Sequence, residues 1–325
     1  MNRKQAISLL LRISLSVLML AVLIWRVPDI DLREVVPDLT LRAGFWLVVA
    51  AALTLAGIVL SALRWQRVLD VLDLHAGLRR LLSHYLAGQF VSNVLPTTIG
   101  GDLLRVSRLS RETGESPRTF ASVVLERLTG WLVLPVISVA GFLVNPPLQH
   151  LGRATQVALG LAFVTLLALG ILLYAVADQR IGGRFEARDG WRRFAAAVHL
   201  GLDRLKRQPA AAVNVLLVGF AYQLVLVLAA VAAAQALGVR PAGLTALLAF
   251  FPAVAIAQVL PIGISGLGVR EGAFVLFLGP LGVAPEEAIA LGLVLYLLNL
   301  GVSLLGAPAF AVGGRIPAPA TLAPA

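Results

Sequence analysis

Cysteine is absent from the 325 residues. Disulfides, thiolate metal sites and cysteine nucleophiles are thereby excluded. Charge is also scarce, at 14% of residues, where soluble domains carry about a quarter. His75, His84, His150 and His199 are the four histidines, and none has metal-ligand spacing. No Walker A sequence, kinase set, G-x-S-x-G or H-E-x-x-H motif occurs. Pumping driven by ATP hydrolysis within this chain is not expected, and neither is a cofactor. The polar loops are short, with none large enough for a nucleotide-sugar or tRNA-binding domain.

What fills the sequence is apolar: 59% of residues are hydrophobic. A helix that spans a bilayer needs about 20 largely apolar residues. Uncharged runs of that size lie at 43–63, 128–150, 154–177, 209–239, 241–269 and 288–314, with a shorter one at 13–25. The fold class is therefore an all-α polytopic membrane protein. The start resembles a signal peptide, with Arg3 and Lys4 before an apolar stretch. It lacks a small-x-small cleavage site, so an uncleaved first span is expected. A net charge of +10 raises nucleic acid as a partner. Basic loops facing the cytoplasm account for it more simply, and no nucleic acid is expected.

Lys and Arg placement orients the spans. Arg3, Lys4 and Arg12 set the N-terminus inside. The first loop, 26–42, has three bases against four acids and suits the outside. Segment 64–118 holds eight arginines and 178–209 holds eight Lys or Arg, so both suit the cytoplasm. Loop 145–153 and the connector near Arg240 are nearly bare and suit the outside, and Arg315 closes the chain inside. The expected spans are 6–25, 43–63, 122–144, 154–177, 211–236 and 287–312, about six in all. Two apolar segments, 81–96 and 243–261, lie between loops on one side. They are expected to be re-entrant; as ordinary spans they would bring the total to eight. The localisation expected is the cytoplasmic membrane, with both termini in the cytoplasm. Residues 1–314 form one membrane domain, and the Ala/Pro-rich tail 315–325 is expected to be disordered.

Each re-entrant segment ends in the same phrase. NVLPTTIGGDLLR occupies 93–105 and QVLPIGISGLGVR occupies 258–270, an offset of 165 residues with six identities in thirteen positions. The flanking spans follow the same offset, which defines repeat A at about 43–144 and repeat B at about 208–312. By the charge argument the repeats are inverted, a signature of secondary transporters.

Pro96 cannot continue a helix ladder, and Thr97, Thr98, Gly100 and Gly101 allow a turn. A new helix is expected near Gly101 and Asp102. Its N-terminus can hold an anion such as a phosphate, and Arg105 can add a contact. Asp102 reads equally well as an N-cap, and Arg105 as a positive-inside anchor. The second phrase offers Gly266, Gly268, Arg270 and Glu271, where a local Arg270–Glu271 ion pair is the plainer alternative. Glu126 and Arg127 sit just inside a span, and intramembrane charge is a functional candidate by default. The alternative is that Glu126 pairs with an arginine of the 102–118 connector. Asn93, Gln89, Gln223, Gln258, Tyr296 and Asn299 are polar positions in apolar runs, read chiefly as helix bridges. Trp191, Phe194, Val198, Leu202 and Leu205 fall at helical spacing beside basic residues. They read as an amphipathic helix on the anionic inner leaflet.

The combination SNVLPTTIGGDLLRVSRL, ASVVLERLTGW and LPIGISGLGVREGAF, in this order, resembles the lysylphosphatidylglycerol synthase transmembrane-region family, also called flippase-like. The resemblance covers about 10–312. It places Asn93, Pro96, Gly101, Asp102, Arg105, Glu126, Arg127, Gly266, Gly268, Arg270 and Glu271 on the family's motif positions. It implies a domain that moves an aminoacylated phospholipid in bifunctional members, where a separate soluble domain makes that lipid. These residues offer no such domain, so synthase activity is not carried over and no enzyme is expected. Other members are tied to glycolipid, polyprenyl-phosphate or hopanoid pathways.

The expected function is therefore a lipid transporter or flippase-like protein, moving a phospholipid or polyprenyl lipid or glycolipid. Its expected partners are anionic or phosphate-bearing lipid head groups, with envelope-biosynthesis enzymes as a further class. Two alternatives stand: a non-catalytic scaffold for lipid or envelope biosynthesis, and a polyprenyl-phosphate-linked glycosyltransferase with Asp102 or Glu126 as base.

Overall fold

The computed structural model describes residues 40–94, 100–177, 190–259 and 266–312. The expected first span 6–25, Pro96 with Thr97 and Thr98, and the tail 315–325 lie outside these residues. Among the described residues all regular structure is helical.

Helix α1 (Leu41–Val71) starts at Thr40, whose hydroxyl accepts from the Ala43 N–H at 3.2 Å. This side-chain cap satisfies a donor that the first turn leaves open. Its 31 residues extend about 46 Å, beyond the roughly 30 Å of a hydrocarbon layer. The sequence reading ended this span at residue 63, before Arg64. The helix instead runs through Arg64, because that charge is paired inside the protein and marks no exit to water.

The next elements are α2 (Leu78–Val94), α3 (Gly100–Thr113) and α4 (Ser116–Val144), followed by α5 (Arg153–Ala177), α6 (Gly190–Arg207) and α7 (Pro209–Ala236). The chain continues in α8 (Leu244–Ala257), α9 (Val269–Leu278), α10 (Pro285–Ser303) and α11 (Gly306–Val312). Prolines in the first turns of α4, α7 and α10 fit there because that turn's N–H groups have no helical acceptor. Among the described residues, five helices are long and apolar enough to cross a membrane: α1, α4, α5, α7 and α10. They agree with five of the six expected spans. The expected single span 287–312 is corrected to two helices, because α10 ends at Ser303 and α11 starts at Gly306. A Cβ on Gly306 would lie 2.1 Å from the Leu86 carbonyl oxygen, so α11 begins in backbone contact with α2.

Helix α8, with 14 residues, reaches only about 21 Å. It and α2 are flanked by the two broken phrases. Helix α5 is the most lipid-like: Phe163, Val164, Leu167 and Ile171 are all exposed, an apolar face that needs a nonaqueous surrounding. The side chains of Trp191 and Phe194 lie outside those described; the rest of the α6 stripe, Val198, Leu202 and Leu205, packs against protein, which corrects its leaflet-facing reading at these three positions. Val198 is fully buried beside Val68, Leu72 and Leu125, and a Cβ on Gly201 would sit 3.0 Å from Leu125.

Three helix pairings organise the rest. Helix α1 lies along α7, and α4 crosses α8 while α11 crosses α2. At the first crossing a Cβ on Gly141 would fall 2.4 Å from the Ala249 nitrogen. There the Ser138 hydroxyl donates to the Ala249 carbonyl at 2.6 Å, and Asn145 Nδ2 donates to Thr245 Oγ1 at 2.9 Å. Phe250 anchors the adjoining core, stacked on Phe277 at 5.4 Å and edge-on to Phe142 at 5.3 Å. A second core gathers Trp65, Leu69, Leu81, Tyr85 and Leu109, and the candidate site sits against it.

Candidate functional site

Helices α2 and α3 cross where both have glycine. A Cβ on Gly101 would lie 2.2 Å from the Gly88 carbonyl oxygen and 2.2 Å from Ser92 Oγ. Only glycine fits at this distance. One turn further along α3, Arg105 points into the protein and is 2% exposed. Its Nη1 donates to Glu126 Oε2 at 2.9 Å and its Nη2 to Asp102 Oδ1 at 2.7 Å. Its guanidinium carbon stands 4.9 Å from the Trp65 ring centroid and 4.4 Å from that of Tyr85. Each aromatic face adds attraction to the cation. Trp65 is held by its own Nε1–H, which donates to Ser122 Oγ at 2.9 Å.

Glu126 is 1% exposed and takes a second guanidinium: Arg64 Nη2 donates to Oε1 at 3.0 Å. The Tyr85 hydroxyl donates to the same oxygen at 3.4 Å. Arg127 turns the other way and clamps Asp102, with Nε on Oδ2 and Nη2 on Oδ1, both at 2.9 Å. Burial works to raise the Asp102 carboxyl, but Arg105 and Arg127 outweigh it and hold it below its ordinary value. The result is one chain of charge, Arg64–Glu126–Arg105–Asp102–Arg127, drawn from α1, α3 and α4. Taking ions out of water is costly, and removing one partner of a buried pair costs about 3–5 kcal/mol.

The cluster holds three guanidiniums and two carboxylates. Arg64 carries the imbalance. It is 4% exposed, lies 5.0 Å from the Tyr222 ring centroid, and its Nε and Nη1 have no partner among the described residues. A buried donor left open costs about 1–3 kcal/mol, more when charged.

The second phrase builds a smaller arrangement. Gly266 and Gly268 turn the chain with φ of 76° and 84°, values that suit glycine. Glu271 Oε2 accepts the Gly268 N–H at 2.6 Å and so caps α9. Arg270 donates to Glu271 Oε1 from Nε at 3.2 Å and Nη2 at 3.1 Å. Arg270 also stands 5.3 Å from the Tyr296 ring centroid. Asn93 is a helix bridge, its Nδ2 donating to Asn299 Oδ1 at 2.9 Å. At the offset of 165, only Arg105 keeps a charged counterpart; Arg64, Asp102, Glu126 and Arg127 correspond to Ala229, Leu267, Leu291 and Gly292.

Thus Gly101, Asp102, Arg105, Glu126 and Arg127 come together, while Gly266, Gly268, Arg270 and Glu271 form a separate group. Pro96 lies outside the described residues. Sequence reasoning missed Arg64, Trp65, Tyr85 and Tyr222. A signal existed for the first two: Ser61, Arg64, Trp65 and Val68 share one helical face of an apolar run. No group of three or more His, Asp or Glu residues able to hold a metal ion occurs among the described residues.

Residues 9–306 match the family model of the lysylphosphatidylglycerol synthase TM region, and the chain belongs to this family. None of the curated proteins compared matches the chain.

Proposed function

We propose that this member of the lysylphosphatidylglycerol synthase TM region family is a lipid transporter of the cytoplasmic membrane, with both termini in the cytoplasm. Its cargo class is a phospholipid or a polyprenyl lipid or glycolipid with an anionic head group. The carrying observation is the buried ion chain centred on Arg105 and Glu126, placed at the start of the helix that follows the broken phrase. A merely structural core has little use for five charges in an apolar protein, where ionisable groups are expensive. Asp102, Arg105, Glu126 and Arg127 form the translocation site in this reading, and Arg270 and Glu271 a second station.

An inverted repeat with re-entrant α2 and α8 supplies the motion. The order α1, α2, α3, α4 recurs as α7, α8, α9, α10 at an offset of 165. Packing partners exchange between the halves: α4 crosses α8, and α10 with α11 meets α2. Gly141 and Gly306, themselves 165 apart, make the two closest of these contacts. Such an exchange is what a pseudo-two-fold axis requires, and rocking of one repeat against the other gives alternating access.

The reading includes no enzymatic step. Both oxygens of Asp102 and both of Glu126 already accept guanidinium hydrogens, which makes either a poor base. A scaffold role is the second reading. It is favoured by the same internal pairing, since Arg105 has every charged contact met within the chain.

Reconstitution into vesicles tests the first against the second. The vesicles carry trace tail-labelled fluorescent phosphatidylglycerol, and an impermeant quencher reports the accessible leaflet. Translocation above protein-free vesicles that is lost in folded Arg105→Ala is the expected result. A folded Arg105→Ala protein with the native rate removes the transport site from Arg105.

A further inference from the structure

Among the described residues, Arg64 is the member of the cluster with buried N–H groups left unpartnered. Glu126 Oε1 takes its Nη2, and the Tyr222 ring centroid lies 5.0 Å from the guanidinium carbon. Nε and Nη1 stay unpartnered although the residue is nearly fully buried. One turn earlier on the same face, Ser61 is fully buried and its Oγ is likewise unpartnered.

The helices around Arg64 are cut back to admit it. A Cβ on Gly130 of α4 would lie 2.9 Å from Arg64 Nη1. A Cβ on Gly219 of α7 would lie 3.6 Å from its Cδ and 3.9 Å from Nη1. The guanidinium therefore occupies a seam between α4 and α7 that side chains at these positions would fill.

Charge gives the ligand its sign and size. Three guanidiniums face two carboxylates, and Arg64 has only a share of Glu126. One further negative charge balances the cluster, and a neighbouring hydroxyl such as that of Ser61 suits an oxyanion.

We infer that Arg64, with Ser61 beside it, is the binding point for a single oxyanion of one negative charge, the chemistry of a phosphodiester head group. The inference rests on the transport reading and names the position within its site that takes the cargo's charge. Arg105 and Arg127 are then positioning residues, since their carboxylate partners already hold them.

The experiment uses the full chain, purified in a nonionic detergent, with binding read by tryptophan fluorescence. The probes are dihexanoyl phosphatidylglycerol, inorganic phosphate, and uncharged dihexanoylglycerol. Arg64→Lys keeps the positive charge and a donor for Glu126 but has no N–H at the positions of Nε and Nη1, the two that the oxyanion takes. The native protein should bind the phosphatidylglycerol, and Arg64→Lys should bind it roughly tenfold more weakly or worse at an unchanged melting temperature. Dihexanoylglycerol should not compete. Competition by inorganic phosphate, lost in the same variant, also supports the oxyanion site and identifies free phosphate as a source. Equal binding by native protein and Arg64→Lys overturns the inference, as does equal binding of the uncharged lipid. If Arg64→Lys does not fold, Gly130→Ala decides: it keeps every charge but crowds Nη1, and native binding there overturns the inference.

The vesicle assay separates this from the parent reading. Binding that depends on Arg64 in a chain that moves no lipid keeps the site and removes transport. Lipid movement with binding indifferent to Arg64 keeps transport and removes the site.

Discussion

Arg105 and Glu126 form an ion pair at 2.9 Å in which neither side chain is more than 2% exposed. The pair joins α3, which begins in the first broken phrase, to α4, the last span of the same half. Breaking it leaves a charge with no water to turn to.

Glu126→Ala should accordingly destabilise the protein by about 3–5 kcal/mol. Arg64 and Arg105 would then face each other across the emptied position. Detergent-solubilised thermal unfolding measures this, and a melting temperature equal to the native one would show that the cluster is solvated in solution.

Gly101→Ala should be costly for a different reason. The new methyl would sit 2.2 Å from a backbone oxygen of α2, and forced overpacking costs about 1–3 kcal/mol. Gly160→Ala on α5 is the control, since a Cβ there meets nothing within 4 Å. Equal melting temperatures for the two variants would mean that α2 and α3 do not cross at backbone contact.

Most helices were legible because apolar runs bounded by charge leave few choices, and five spans follow from them. Asp102, Arg105, Glu126 and Arg127 were legible as a candidate set because charge inside such runs is expensive. Arg64 was not, since a charge at the end of an apolar run looks the same whether it reaches water or turns inward. The break before Gly306 was hidden likewise: the apolar run continues through it, and the close approach to Leu86 involves a distant helix. The stripe on α6 announced a covered face, but periodicity says nothing of whether lipid or protein covers it.

Acid should loosen the Asp102 clamp. The carboxyl is held below its ordinary value of 3.8, so it contributes stability that is fully present above that value. The contribution is lost as pH falls through the lowered folded value. Native protein should show a fall in melting temperature on acidification below about pH 4 that is smaller in Asp102→Asn. Parallel curves for the two would assign the acid response to other groups.

The absence of cysteine makes topology directly testable. Thr98→Cys and Ser265→Cys each place one thiol in a broken phrase. With an impermeant thiol reagent, position 265 should label in intact cells and position 98 only after permeabilisation. Labelling of both from one side would make the repeats parallel and end the alternating-access account.

In the transport reading, the unequal count of guanidiniums and carboxylates would also set an electrical property. Moving one elementary charge through a membrane potential is worth about 2.3 kcal/mol per 100 mV. An unloaded cluster would carry that charge with it as the repeats rock. With a singly charged head group against Arg64 the cluster would be neutral, and the loaded step would be indifferent to voltage. The membrane potential would then act on the return of the unloaded protein, which makes resetting, rather than carriage, the electrically driven half of the cycle.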